Sequence, residues 1–292
     1  MSKVLIATEK PFAAPAVAGI KQILTEAGFE VVLLEKYTTK AELLAAVADV
    51  EAIIIRSDII DAEVFDAAKQ LKIVVRAGAG YDNVDLESAT AHGVCVMNTP
   101  GQNANAVAEL VFAMLLFGVR NRFNGTSGTE LKDKKLGLLA YGTTGRNVAG
   151  IAKGIGMDIY AYDPFTPAEV IEKEGVHAVA SQKELFSTCD IVSLHIPATP
   201  ETKGSIGREL VSLMPKKGIL VNTARKEVIN EPELIALLKE REDLRYFADI
   251  RPGAHEEFEA AAGDRYFSTP KKMGAQTSEA NTNAGLAAAR QI

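Results

Sequence analysis

The chain is poor in the residues that staple or metallate small proteins. Its 292 residues include two cysteines, Cys95 and Cys189, and four histidines. Each cysteine lies in an apolar stretch, which marks both as buried thiols and argues against a disulfide framework, a metal pair or a thiol nucleophile. No metal site is expected. Acidic residues outnumber basic ones, 38 to 32, for a net charge of −6. That balance argues against general nucleic-acid or anionic-membrane binding but leaves room for one local cationic pocket. No apolar run reaches the about 20 residues that a bilayer-spanning helix needs. The opening Met-Ser-Lys-Val-Leu-Ile reads as a first strand rather than a signal peptide. The expectation is a soluble, cytoplasmic chain.

What is present is hydrophobic alternation. At 47% hydrophobic residues, the chain can bury one large core or two smaller ones. Short apolar runs at 4–7, 31–34, 52–55, 72–75 and 94–96 alternate with segments of helical spacing at 15–27, 40–48, 59–70 and 86–92. This predicts a complete α/β unit with a parallel sheet. Residues 103–122 predict one long helix, apolar nearly all round and therefore buried between bodies or at a subunit contact. Later strands are expected at 191–194, 219–222 and 246–249, each ending in a polar residue. The alanine-rich segment 278–292 predicts a helix that packs back on the first domain.

The stretch Leu136-Gly-Leu-Leu-Ala140-Tyr-Gly142-Thr143-Thr144-Gly145-Arg146 carries the first chemistry. An apolar run ends in a small-residue turn, a helical pattern follows, and a second apolar run closes at Asp163. That is the length of a dinucleotide-binding βαβ unit. Gly142 lets the backbone approach a pyrophosphate, Gly145 lets the helix pack on the sheet, and the helix N-terminus faces the phosphates. Asp163 lies 18 residues past Gly145, where an acid binds a ribose 2′-hydroxyl and repels a 2′-phosphate. NAD is therefore the expected cofactor. Ala140 replaces the usual first glycine, a change that is mild if its φ stays negative.

Further landmarks follow in order: Gly78-Ala79-Gly80-Tyr-Asp-Asn-Val-Asp85, Asn98-Thr-Pro-Gly, Val107-Ala-Glu-Leu, His195-Ile-Pro197, Val221-Asn-Thr223-Ala224-Arg225, and Thr269-Pro-Lys-Lys-Met-Gly274-Ala. With the fingerprint, these resemble the D-isomer-specific 2-hydroxyacid dehydrogenases, and within them the short D-3-phosphoglycerate dehydrogenases, over nearly the whole chain. The resemblance implies an α/β fold of two Rossmann-like domains with the active site in the cleft. One is a discontinuous substrate-binding domain (1–97 and 278–292) and the other an NAD-binding domain (98–277). It implies a homodimer built through the NAD-binding domain.

The resemblance also implies roles. Arg225 matches the catalytic arginine, whose guanidinium fork suits a carboxylate or keto oxygen. Ala79 and Gly80 match a backbone loop for the substrate carboxylate, and Asn103 a cleft-lining asparagine that could also cap the long helix. Arg56 and Ser57 match a pair directed at a phosphorylated substrate. Gly142, Thr143, Thr144, Gly145, Arg146, Asp163, His195, Pro197, Thr223, Ala224, Asp249 and Gly274 fall on the cofactor side, Asp249 matching the acid that orients the nicotinamide carboxamide.

Two departures stand out. The family's proton-transfer histidine follows Thr-Pro, but here Lys271 and Lys272 follow Thr269-Pro270. An ammonium can protonate the forming alkoxide, and an amine can serve as base if its pKa is lowered or the medium is alkaline. The expected pH optimum for oxidation is therefore well above neutral. The catalytic glutamate position counts to Ala254, so that role shifts to Glu256 or Glu257 or is lost; Glu257 is the candidate retained. His255 is a rival acid–base group, although a loop histidine is ordinarily exposed. His92 and His177 read as helix-end or surface residues.

The expected activity is NAD-dependent oxidation of D-3-phosphoglycerate to 3-phosphohydroxypyruvate, the entry to serine synthesis. The alternatives are another D-2-hydroxyacid (glycerate, lactate or similar), or a non-catalytic NAD-binding regulatory protein.

Overall fold

The computed structural model describes residues 1–292. The chain forms two compact units, residues 1–103 with 275–292, and residues 104–274. Each is built on one all-parallel sheet. Short apolar runs with no polar alternation suit strands buried on both faces, and the chain is rich in them.

The first unit runs β1 (Lys3–Thr8), α1 (Ala14–Glu26), β2 (Glu30–Glu35), α2 (Lys40–Ala46), β3 (Ala52–Ile55), α3 (Ala62–Ala67), β4 (Ile73–Arg76), α4 (Leu86–Ala91) and β5 (Cys95–Asn98). Its strand order is β2-β1-β3-β4-β5. Val4, Leu5, Ile6, Ile53, Ile54 and Val74 are wholly buried. The order reverses between β1 and β3, and open α/β sheets bind ligands at the carboxyl ends of strands beside such a point.

The second unit begins with α5 (Ala104–Val119), β6 (Lys135–Leu139), α6 (Thr143–Ile155), β7 (Asp158–Tyr162), α7 (Ala168–Lys173) and β8 (His177–Ala178). It continues through α8 (Gln182–Thr188), β9 (Ile191–Leu194), α9 (Arg208–Val211), β10 (Ile219–Asn222), α10 (Glu231–Glu240), β11 (Arg245–Ala248), α11 (His255–Ala262) and β12 (Tyr266–Ser268). The sheet order is β12-β11-β10-β9-β6-β7-β8, with its reversal between β6 and β9. Helix α5 packs on α6 through Ala108, Val111, Phe112 and Leu115 against Val148, Ala149 and Ala152. Much of its all-round apolar surface is thus buried within its own unit.

The last helix, α12 (Ser278–Ala289), belongs to the first unit and lies against α1. Small residues set the approach: a Cβ on Gly285 would stand 2.8 Å from Ile20 Cδ1, and one on Gly19 2.6 Å from Leu286 Cδ2. No helix is long and apolar enough to cross a membrane.

Three expectations need correction. Cys95 is exposed, whereas Cys189 is buried and its thiol is pushed up to about 12 by burial. Cys95 opens the edge strand β5, where one residue of register decides between core and solvent. The helix expected over 59–70 is confined to Ala62–Ala67, because the Asp61 carboxylate accepts the Val64 N–H and starts it there. Ala140 has φ +78, so the turn holds alanine in the left-handed region that glycine would occupy without strain.

Candidate active site

In the first unit the candidate substrate residues follow the ends of β3 and β4. Arg56 directly follows β3, and its guanidinium donates to Lys10 O at 2.9 Å, Pro11 O at 3.0 Å and Asn281 Oδ1 at 2.5 Å. It also lies over the Phe12 ring, 5.3 Å from the centroid. Three of its five N–H donors thus tie the β1–α1 loop and α12 to β3. Ser57 is exposed.

The motif 78–85 wraps the end of β4. Gly78 has φ +149, and a Cβ there would overlap the Arg76 guanidinium. Asn98 Nδ2 donates to Ala79 O at 2.7 Å, and Thr99 N–H to Gly78 O at 2.9 Å. The Ala79 and Gly80 N–H groups donate to no backbone carbonyl. Asn83 brings this loop to the Arg56 segment, donating to Asp58 O at 2.6 Å and Arg56 O at 3.3 Å. The buried Asp58 accepts the Glu9 N–H at 2.7 Å, the Tyr37 hydroxyl at 2.8 Å and the Arg56 N–H at 3.0 Å. Asp58 is not legible in the sequence, where an acid after Arg-Ser gives no sign that three strand ends converge on it. Asn103 is half-buried immediately before α5.

In the second unit the fingerprint stands where sequence spacing put it. Gly142 is the N-cap of α6 and supplies no capping side chain, so the helix N-terminus keeps unsatisfied N–H groups. A Cβ at Gly142 would meet nothing within 4 Å, whereas one at Gly145 would stand 2.6 Å from Ala140 O. Openness over the first glycine and contact at the second suit a pyrophosphate. Asp163 Oδ2 accepts the Tyr141 N–H at 2.7 Å and Oδ1 accepts the Phe165 N–H at 2.8 Å, fixing the acid at the end of β7. Thr143 is exposed and Thr144 half-buried. Arg146 pairs with Glu174 at 3.0 Å and lies over the Tyr141 ring.

Adjacent strands β9 and β10 place His195 and Thr223 side by side, because Leu194 is in register with Asn222. The Nε2 of His195 and the Oγ1 of Thr223 are buried without a partner. Burial pushes the His195 imidazole down to about 4, so it is neutral at ordinary pH. Unpaired polar atoms at the carboxyl edge of a Rossmann sheet are what a bound dinucleotide would satisfy. Together with α6 and Asp163, they fit NAD. Pro197 is exposed and Ala224 half-buried beside them.

Arg225 is held by its own turn. Asn222 Nδ2 donates to Arg225 O at 2.9 Å, and Asn222 Oδ1 accepts the Ala224 N–H at 3.0 Å. Asn222 was visible in the sequence only as a polar residue closing a strand.

Asp249 organises the lysine loop. Its Oδ1 accepts the Thr269 hydroxyl at 2.8 Å and the Met273 N–H at 2.7 Å, while Oδ2 accepts the Gly274 N–H at 2.8 Å. A Cβ at Gly274 would stand 2.9 Å from that Oδ2, so the approach needs glycine. Between these anchors Lys271 is exposed and Lys272 half-buried. The next residue, Ile250, has φ +133, an unfavourable conformation for a β-branched side chain and of the kind that collects at functional sites.

The expected glutamate is not at Ala254, yet a carboxylate reaches that backbone. Glu231 accepts the Ala254 N–H at 2.8 Å and the Gly253 N–H at 3.0 Å. Glu256 and Glu257 are exposed in the first turn of α11. His255, expected on an exposed loop, opens that helix with its side chain only 14% exposed. Its Nδ1 lies 2.9 Å from the Tyr266 hydroxyl and its Nε2 3.2 Å from Glu259. His92 ends α4 against Asp66, and His177 lies on edge strand β8 beside Asp158.

Known proteins match this arrangement. The family model for the D-isomer-specific 2-hydroxyacid dehydrogenase NAD-binding domain matches residues 116–263. A D-3-phosphoglycerate dehydrogenase of Methanocaldococcus jannaschii is 37% identical over 87% of this chain and 51% of its own length. The chain therefore spans about half of that relative. A hydroxypyruvate reductase of Thermotoga maritima is 33% identical over 90% of both chains. The crystal structure of NAD+-bound 3-phosphoglycerate dehydrogenase from Entamoeba histolytica superposes with a TM-score of 0.89 at 49% identity, covering 100% of this chain and 94% of that one. The sequence landmarks, the two parallel sheets and these matches agree: the chain belongs to the D-isomer-specific 2-hydroxyacid dehydrogenases and carries that family's NAD-binding domain.

Proposed function

We propose that the protein is an NAD-dependent dehydrogenase that oxidises the C2 hydroxyl of D-3-phosphoglycerate to the ketone of 3-phosphohydroxypyruvate. The observation that carries this reading is the 49% identity, over the whole chain, to an NAD+-bound 3-phosphoglycerate dehydrogenase. When bound, NAD supplies the two-electron acceptor. Gly142, Thr143, Thr144 and Gly145 would hold its pyrophosphate, Asp163 its ribose hydroxyls, and His195, Pro197, Thr223, Ala224, Asp249 and Gly274 would line the nicotinamide side.

The remaining work falls to side chains of this protein. Arg225 holds the substrate carboxylate and polarises the oxygen at C2. The Ala79 and Gly80 N–H groups bind the carboxylate, and Asn103 lines the substrate site. Arg56 meets the phosphate through the donors it does not spend on Lys10, Pro11 and Asn281, with Ser57 beside it. Lys272, half-buried between the anchors of the Asp249 loop, takes the hydroxyl proton during oxidation and returns it during reduction. Lys271, on the same loop, adds positive charge. Glu257 is the candidate carboxylate to assist them.

A homodimer through the second unit is part of this proposal. Near the end of α5, Leu116 is 43% and Phe123 69% exposed, an apolar surface that a second copy would cover. Sedimentation velocity of wild type and Phe123→Asp tests it, and a wild-type monomer would refute it.

The activity test is NADH formation with D-3-phosphoglycerate, D-glycerate and D-lactate. The expected preference is for the phosphorylated acid. The similarity to a hydroxypyruvate reductase supports a second reading, and higher kcat/KM for D-glycerate would favour it. NAD binding without turnover of any acid would identify a regulatory protein instead.

A further inference from the structure

A second cationic site lies at the opposite end of the strands that carry the lysine loop. A cavity of about 380 Å³ is lined by Gly118, Asn121, Arg122, Asn124, Arg245, Asp264 and Arg265, a volume within the range of small-molecule sites. Arg245 opens β11, whose other end leads to Asp249. Arg265 immediately precedes β12, whose other end leads to Thr269. The cavity is therefore at the amino edge of the sheet, whereas the fingerprint, Arg225 and the lysines follow carboxyl ends.

The charge there is unbalanced. Arg245 is half-buried and donates to Gly118 O at 2.7 Å, one bond from a group with five N–H donors. No carboxylate pairs with it. Burial, and then the neighbouring Arg265, press its guanidinium below the usual arginine range. Arg265 spends its Nη donors on the carbonyls of Leu238, Arg241, Leu244 and Ala261, so it contributes charge that is fixed in place. Arg122 donates to Tyr266 O and meets Asp264, the cavity's one acid, whose side chain is 91% exposed. Asn121, Arg122 and Phe123 all hold positive φ, +50, +56 and +58, a run that side chains disfavour and that the surrounding structure must impose.

We infer that this cavity is a binding site for a phosphate group, with Arg245 and Arg122 as its ligands and Arg265 as its fixed counter-charge. A half-buried guanidinium fork without a carboxylate is complementary to tetrahedral phosphate oxygens, and an anion relieves the repulsion between Arg245 and Arg265. The phosphate can be free or a phosphomonoester, and the site does not depend on the substrate or cofactor assignments.

The test is thermal unfolding of the full chain with inorganic phosphate or glycerol phosphate, against sodium chloride at matched ionic strength. Wild type should rise by about 5 °C or more at a hundredfold excess over Kd. Arg245→Met should lose most of that shift, Arg245→Lys keep more of it, and Arg56→Gln, altered at the substrate-side phosphate contact, keep most of it. If Arg245→Met does not fold, Arg122→Gln should show the reduced shift. A rise with inorganic phosphate alone identifies the free ion; a larger rise with glycerol phosphate identifies a phosphomonoester. No phosphate-specific rise in wild type, or an undiminished rise in Arg245→Met or Arg122→Gln, would overturn the inference.

Discussion

The Asp249 carboxylate accepts the Thr269 hydroxyl at 2.8 Å, and from that bond the lysine loop takes its position. The same carboxylate accepts the Met273 and Gly274 N–H groups, so one acid closes both ends of a six-residue segment. Replacing it with asparagine turns an acceptor into a donor facing N–H groups. Asp249→Asn should cost about 1–3 kcal/mol of stability and lower kcat more than it raises KM. Urea unfolding and steady-state kinetics check it; wild-type kcat in a destabilised variant would show that the clamp only supports the fold.

The two lysines should separate. Lys272→Ala is expected to reduce kcat by roughly 100-fold or more, the scale of general acid–base catalysis, while exposed Lys271→Ala stays within a few-fold of wild type. Because oxidation requires a neutral amine as base, its rate should climb above neutral pH, and reduction should show the opposite trend. Equal losses in the two variants, or an oxidation rate flat across the alkaline range, would remove Lys272 from the assignment.

The fingerprint turn offers a paired test. Ala140→Gly removes the left-handed strain of a φ of +78 and should stabilise by up to about 1 kcal/mol, the strain relieved being partly offset by glycine's greater unfolded-state freedom. Gly145→Ala drives a Cβ to 2.6 Å from Ala140 O and should both destabilise the second unit and weaken NAD binding. Calorimetry with NAD titration distinguishes these outcomes.

His195 links stability to pH. Burial lowers its pKa from an unfolded value near 6.5 to about 4, so between those values the unfolded chain binds the extra proton. The stabilisation is complete above pH 6.5 and is lost as pH falls through the window, to a limit of roughly 3 kcal/mol. His195→Gln should flatten that part of the stability–pH curve; an unchanged slope would assign it to other groups.

Much of the architecture was legible because it depends on local patterns. Runs such as Ile53-Ile-Ile55 and Leu136 to Leu139 put apolar residues on both faces of a strand, so they suit parallel strands with both faces covered. Gly142, Gly145 and Asp163 are tied by chain distance alone, and spacing sufficed for the cofactor. The short extent of α3 turned on the single cap at Asp61. The exposure of Cys95 turned on one residue of register at a sheet edge, which an apolar neighbourhood does not reveal.

By itself, the sequence determined the parallel α/β folds, the dinucleotide turn and the pair Lys271-Lys272 after Thr269-Pro270, since each is written in residues close along the chain. Tertiary structure alone decided that Asp249 clamps a loop 20 or more residues away, that Glu231 reaches the backbone of Gly253 and Ala254, and that half-buried His255 meets Tyr266. It also decided which lysine is sheltered and left Arg245 without an acid. Those relationships join strand ends brought together by sheet order, and sheet order is set by the packing of whole elements rather than by any local run.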